Sequence, residues 1–115
     1  ALNDLRAALP PEFPRRFDHI VSAYTFHHFP LEEKVDLIRR LMENHLQQNG
    51  CMVIGDISFP NAAAEDDLRH RLGGEWEQEY YWLADESLSA LDTADISAGY
   101  TQVSSCAGVF QLTKR

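Results

Sequence analysis

Hydrophobic residues recur along the chain with two different periods, and these periods predict its helices and strands. From Leu31 onward, apolar residues recur every three to five positions, and charged residues, Lys34 among them, occupy the positions between. This pattern is typical of an amphipathic helix. Pro30 suits the first turn of such a helix, and Asn49-Gly50 suits a left-handed stop, so the helix is expected between them.

Two apolar runs flank this helix and predict strands. Residues 17–24 (FDHIVSAY) suit a short buried strand, and residues 51–59 (CMVIGDISF) are almost continuously apolar, which is typical of a strand covered on both faces. A strand, a helix and a strand in succession form a βαβ unit, so the two strands are expected to be parallel. Their carboxyl ends then lie at one edge of the sheet, where open α/β folds bind ligands.

The rest of the chain predicts helices followed by a hairpin. Residues 60–74 predict a short helix that ends at Gly73-Gly74, and residues 75–96 have a helical composition that divides into two pieces near residues 83–85. Residues 99–115 predict two antiparallel strands around a tight turn. The expected fold class is therefore α/β, and residues 1–115 are treated as one domain.

Composition and charge restrict the possible partners. The chain has 115 residues, 44% of them hydrophobic, and a net charge of −8, which repels phosphate backbones and anionic membranes. No nucleic acid and no membrane is therefore expected as a partner. No apolar stretch reaches the roughly 20 residues that a membrane span requires, and no signal peptide is recognisable. A cytoplasmic location is the expectation.

Two adjacent histidines, His27 and His28, follow the first predicted strand. Neighbouring residues point in different directions on a helix or a strand, and no H-x-x-x-H or H-E-x-x-H spacing is present, so no metal site is expected. The residues alone leave open whether a histidine packs against the sheet, faces a cleft or acts as an acid–base catalyst. Cys51 and Cys106 are interpreted as reduced core residues.

Asp56 lies in an otherwise apolar run, where an unpaired charge would be costly. It must therefore lie at the mouth of the strand or have hydrogen-bond partners, and a cap for the turn at Phe59-Pro60 and a ligand contact both remain open. An aromatic group on an acidic segment, residues 76–82, predicts either packing in a core or lid, or the lining of a substrate pocket.

Residues 17–59 resemble the second half of class I S-adenosylmethionine-dependent methyltransferases. Three consecutive segments match the family's fourth strand, the helix after it and the fifth strand in order and spacing. They are FDHIVSAYTFHHF, the predicted helix that follows and NGCMVIGDISF. EYYW is similar to the segment before the family's last helix, and GYTQVSSCAGVFQLTKR to its terminal hairpin. The resemblance implies a partial Rossmann-like sheet with strand order 4-5-7-6, without the G-x-G-x-G cofactor loop.

The resemblance also implies which residues contact the cofactor S-adenosylmethionine. Ser22, Ala23 and Tyr24, at the end of the first predicted strand, would line its methionine part, and Asp4 would lie beside its adenine.

The same resemblance places the catalytic and substrate residues. His27 would lie at the rim of the cofactor or substrate, with His28 packed, and His27 or Asp56 would assist deprotonation of the acceptor. The expected substrate contacts are His27, Ser58, Tyr80 and Tyr81.

These expectations lead to two functional hypotheses. The first is a methyltransferase-like domain related to small-molecule methyltransferases, in which a positioned acceptor attacks the sulfonium methyl group directly. The second is a non-catalytic scaffold or interaction module derived from one. Without the family's first strand, residues 17–24 form a sheet edge that needs a cover. Residues 1–16, a missing amino-terminal half or a second copy are the candidates, and a homodimer is favoured.

Overall fold

The computed structural model describes residues 16–115, which form a mixed sheet with three helices. In chain order the elements are β1 (Phe17–Ala23), α1 (Leu31–His45), β2 (Leu46–Phe59), α2 (Ala62–Leu72), β3 (Trp82–Leu83), α3 (Ala84–Thr93), β4 (Ile96–Gln102) and β5 (Ala107–Lys114).

The main sheet has the strand order β1-β2-β5-β4. The short strand β3 pairs in parallel with the carboxyl-terminal end of β2. β1 runs parallel to β2, with Val21 opposite Val53, whereas β5 runs antiparallel to both β2 and β4. The predicted parallel pairing of the strands on either side of α1 is therefore confirmed. Its consequence is that both strands run towards the same edge of the sheet, where Ala23 at the end of β1 is paired with Gly55, four positions before the end of β2.

The hydrophobic core lies between α1, α3 and one face of the sheet. Ile38 of α1 and Leu91 of α3 belong to one cluster with Met52 and Ile54 of β2. The residues that alternate with these along β2 are only half-buried, and Val21 on β1 is 73% exposed. The expectation that β2 is covered on both faces is therefore wrong within residues 16–115. Cys51 and Cys106 are also only half-buried, so neither belongs to the core.

Helix α1 differs from its prediction at its end. It ends at His45, and Leu46 continues directly in an extended conformation. Among the described residues, positive φ angles occur at Tyr24, Gly73 and Asp95, so Gly50 is not the predicted left-handed stop. A Cβ atom at Gly50 would lie 2.6 Å from Leu46 Cδ1 and 2.9 Å from the Asp18 carbonyl oxygen. Glycine is needed there for the close approach of β1.

The second half of the chain forms one helix fewer than the sequence predicts. α2 ends at Leu72 and Gly73 follows with φ 55°, as predicted, and α3 corresponds to the second piece expected in residues 75–96. The first piece does not form, because Trp82 is buried and pairs with Ser58 of β2 as the start of β3. Packing of this large ring outweighs the helical composition around it.

Candidate active site

The carboxyl edge of β1 and β2 places the predicted cofactor residues together. Tyr24 follows β1, and its N–H donates to the Gly55 carbonyl oxygen at 2.8 Å. Its φ of 55° is uncommon for a residue other than glycine, and its side chain is 60% exposed. Conformations of this kind concentrate at functional sites. Ser22 and Ala23 lie immediately before it at the same edge, whereas Asp4 lies outside the described residues.

A short 3-10 turn, Phe26–His28, brings His27 to Asp56. Phe26 is fully buried, with its ring centroid 5.9 Å from that of Trp82, and it anchors the turn. His27 Nδ1 lies 2.7 Å from Asp56 Oδ1. A carboxylate in this position accepts the Nδ1 proton, which fixes the tautomer and leaves Nε2 as a proton acceptor. The pair therefore has the geometry of an acid–base catalyst and its positioning carboxylate.

The Asp56 carboxylate is buried, and both of its oxygens accept hydrogen bonds. Oδ1 also accepts from the Ile57 N–H at 2.8 Å, and Oδ2 accepts from Trp82 Nε1 at 3.0 Å. Asp56 thus has partners rather than lying at an open mouth. The interpretation of Asp56 as a cap for the turn at Phe59-Pro60 is wrong, because its oxygens bind the neighbouring strand and loop residues instead.

Lys34 is an additional charged residue in this cluster, and sequence reasoning placed it wrongly on the polar face of α1. It is 1% exposed, its Nζ lies 4.9 Å from the centre of the Trp82 ring, and it donates to the Tyr80 carbonyl oxygen. Burial lowers its pKa from 10.5 to about 8, although the negative charges of Asp56 and then Glu86 oppose this shift. Lys34 precedes the buried Ile38 by four positions, and this spacing places it on the apolar stripe.

The aromatic segment, residues 76–82, lies beside His27. The Tyr80 N–H donates to the His27 carbonyl oxygen at 2.9 Å, while the Tyr80 side chain is mostly exposed. The Tyr81 ring lies 6.2 Å from the His27 ring. His28 was expected to be packed, but its side chain is 56% exposed, because the turn directs His27 and not His28 towards Asp56.

Ser58 belongs to the framework behind the site. It is fully buried, and its Oγ shares a hydrogen bond of 2.8 Å with Tyr100 Oη and donates to the Asp56 carbonyl oxygen at 3.2 Å. Gln102 Nε2 also donates to the Ser58 carbonyl oxygen. The structure therefore brings His27, Asp56 and Tyr81 together, whereas Ser58 ties β2 to the β4–β5 hairpin.

Residues 16–115 contain neither a metal-binding cluster nor a membrane-spanning helix. No group of three or more histidine, cysteine, aspartate or glutamate side chains is arranged to hold a metal ion. None of the helices in this part of the chain has the length and apolar character needed to span a membrane.

No protein-family model matches the sequence. Curated relatives with significant similarity are methyltransferases. An uncharacterized methyltransferase of Staphylococcus carnosus is 34% identical over 74 residues, which are 64% of this chain and 34% of the relative. Another, of Oceanobacillus iheyensis, is 29% identical over 112 residues, covering 90% of this chain and 52% of the relative. The chain thus spans between about a third and a half of the length of these relatives.

Solved methyltransferase structures share the fold. A Planctomyces limnophilus O-methyltransferase family 2 protein in complex with apigenin superposes with a TM-score of 0.69 at 17% identity, over 97% of this chain and 33% of that one. The chain has the fold of class I S-adenosylmethionine-dependent methyltransferases. The magnesium protoporphyrin IX methyltransferase of Synechocystis with bound S-adenosylhomocysteine gives a TM-score of 0.61 at 14% identity, over 97% of this chain and 49% of that one.

Within this methyltransferase fold, the buried Lys34 predicts a pH dependence of stability. Below pH 8 the ammonium is charged in both the folded and the unfolded chain. Between pH 8 and 10.5 the folded chain loses this proton first, so stability rises with pH. The gain is roughly 3 kcal/mol for complete deprotonation. We expect Lys34→Met to lack this gain in denaturant unfolding at pH 7 to 10. Parallel pH profiles of the two proteins would contradict the assignment.

Proposed function

We propose that the chain carries the acceptor half of an S-adenosylmethionine-dependent methyltransferase for small molecules, with His27 as its general base and Asp56 as the positioning carboxylate. The observation that carries the proposal is the 2.7 Å contact between His27 Nδ1 and Asp56 Oδ1, beside the carboxyl ends of two parallel strands. In this fold, β1, β2, β5 and β4 would correspond to the family's fourth, fifth, seventh and sixth strands.

The proposed reaction is a direct methyl transfer. An acceptor hydroxyl gives its proton to His27 Nε2 while its oxygen attacks the methyl carbon. The oxygen–carbon bond forms, the sulfur–carbon bond breaks, and the electron pair of the broken bond stays on sulfur. Asp56 stabilises the imidazolium that results, and positioning of the two reactants supplies much of the rate enhancement.

Cofactor contacts are proposed for Ser22, Ala23 and Tyr24 at the carboxyl edge. Two observations support this proposal. Tyr24 extends an exposed ring from a left-handed backbone position, and a Cβ atom added at the neighbouring Gly55 would meet no heavy atom within 4 Å among the described residues. The edge therefore offers open space next to bare backbone. Bound S-adenosylhomocysteine in the Synechocystis methyltransferase is consistent with this class of ligand.

Calorimetry with S-adenosylmethionine and S-adenosylhomocysteine tests the cofactor assignment. We expect micromolar binding by the chain and a dissociation constant about tenfold higher for Tyr24→Ala, equivalent to about 1.4 kcal/mol. Tyr24→Phe keeps the ring and serves as the matched control with near-unchanged affinity. Complete absence of binding by the unmodified chain would reject the catalytic proposal and leave the scaffold hypothesis.

The tautomer of His27 tests the proposed acid–base pair without a substrate. Nitrogen NMR of the neutral imidazole is expected to show the proton on Nδ1, because Nδ1 donates to Asp56. Asp56→Asn should weaken this preference. His70, whose Nδ1 lies 2.7 Å from the Asp66 carbonyl oxygen on α2, is the internal control that should not change. A proton on Nε2 of His27 in the unmodified chain would contradict the proposed role.

We further propose that the exposed edge of β1 pairs with a strand of a second copy of the chain, in a homodimer, or with a strand from a missing amino-terminal half. Within residues 16–115, β2 is the strand that pairs with β1, and the Val21 side chain on β1 is exposed. This surface is also the feature that the scaffold hypothesis would use.

Light scattering of the chain is expected to give the mass of a dimer. An Asn or Lys substitution of Val21 should shift the equilibrium towards monomer, because it places a polar group in the proposed interface. A monomer whose β1 amides are fully protected in hydrogen exchange would count against self-association.

A further inference from the structure

A cleft lies beside the His27–Asp56 pair, between the end of β2, the helix α2 and the aromatic segment. Its volume is about 240 Å³, and Phe59, Trp76 and Tyr81 form one wall. Tyr81 also faces His27, with 6.2 Å between the ring centres. Ile57 lines the cleft as well, and its N–H donates to Asp56. Tyr81 and the backbone of Ile57 therefore connect the cleft to the acid–base pair, while His27 and Asp56 themselves lie outside its lining.

The opposite wall of the cleft is apolar surface that the core does not use. Leu68 and Leu72 lie four positions apart on α2, so they occupy the same face of the helix, and both line the cleft. None of the residues of α2 is buried, and Leu72 is clearly exposed. These leucines are thus available to cover an apolar ligand.

The three rings of the aromatic wall are arranged to contact a flat molecule. Trp76 and Tyr81 are nearly perpendicular, with centroids 5.4 Å apart and planes at 75°. Phe59 and Tyr81 meet at 72° and 6.0 Å. Aromatic pairs prefer offset stacked or edge-to-face contacts. A planar ligand in this cleft can stack on one ring and meet the edge of another.

Charge at the cleft is negative. Glu75 and Glu77 are exposed and belong to its lining. Burial raises the pKa of the Tyr81 hydroxyl, and the carboxylates of Glu79, Glu77 and Glu65 raise it further. The nearby cations of α2, Arg69 and Arg71, are paired with aspartates of the same helix. Such a surface disfavours carboxylates and phosphates.

We infer that this cleft binds the methyl acceptor, and that the acceptor is a small planar aromatic molecule with a hydroxyl group and no negative charge. The inference rests on the proposed function, because His27 supplies the base that a hydroxyl acceptor needs. The cleft volume of about 240 Å³ limits the acceptor to about one or two rings, since pockets for drug-sized ligands measure roughly 300–1,000 Å³.

The test uses three probes of similar size with the full chain and without cofactor: 2-naphthol, 2-naphthoate and decahydro-2-naphthol. Binding is measured by saturation-transfer NMR and titration. We expect 2-naphthol to bind at least tenfold more tightly than 2-naphthoate and several-fold more tightly than the saturated alcohol. Glu75→Gln combined with Glu77→Gln should reduce the discrimination against 2-naphthoate, because it removes the repelling carboxylates.

Trp76→Ala locates the site, and Val103→Ala is the control. Val103 is exposed and lies outside the cleft lining. We expect Trp76→Ala to weaken 2-naphthol binding about tenfold and Val103→Ala to leave it unchanged. Equal affinities for 2-naphthol and 2-naphthoate would overturn the inference, as would tight binding that is indifferent to Trp76.

The outcomes separate this inference from the proposed function. Binding of 2-naphthol at Trp76 without any cofactor binding would leave the aromatic site in place and reject methyl transfer by the chain. Cofactor binding without 2-naphthol binding would leave the methyltransferase proposal in place and reject the acceptor class.

Discussion

The parallel pairing of β1 with β2 is the constraint on which the rest of the molecule depends. Because these strands run in the same direction, Tyr24 at the end of β1 and Asp56 on β2 lie towards one edge of the sheet, although they are 32 positions apart. The connection must cross back over the sheet, and α1 does so while burying its apolar stripe. The direction of the two strands therefore sets the position of the site, and the individual side chains set its chemistry.

A second determinant is the buried ring of Trp82. It packs against Phe26 and Phe110, donates to Asp56 and lies beneath the Lys34 ammonium. One residue thus joins the hydrophobic core to the polar site. Burying two charged side chains is unfavourable unless hydrogen bonds compensate. Here those bonds hold the His27 turn and the aromatic segment in place, so the polar cluster specifies the geometry of the site.

One face of the sheet is covered by helices, and the other is partly exposed. Helices α1 and α3 cover the first face, whereas Val21 and the free side of β1 remain exposed among the described residues. The cleft that we propose for the acceptor lies at the end of β2, between α2 and the aromatic segment. The exposed side of β1 is therefore where a partner surface is proposed.

The sequence by itself determined the βαβ unit, the end of α2 at Gly73 and the class of fold, because these follow from local periodicity and glycine placement. It also pointed to His27, which follows an apolar run, and to Asp56, which lies within one. Tertiary structure alone decided which groups surround the buried Lys34, that His28 is exposed and that Trp82 begins a strand. Those outcomes depend on contacts between residues far apart in the chain, such as Trp82 with Asp56 and Lys34 with Tyr80, and no local pattern encodes which distant group will compensate a buried charge or accept a large ring.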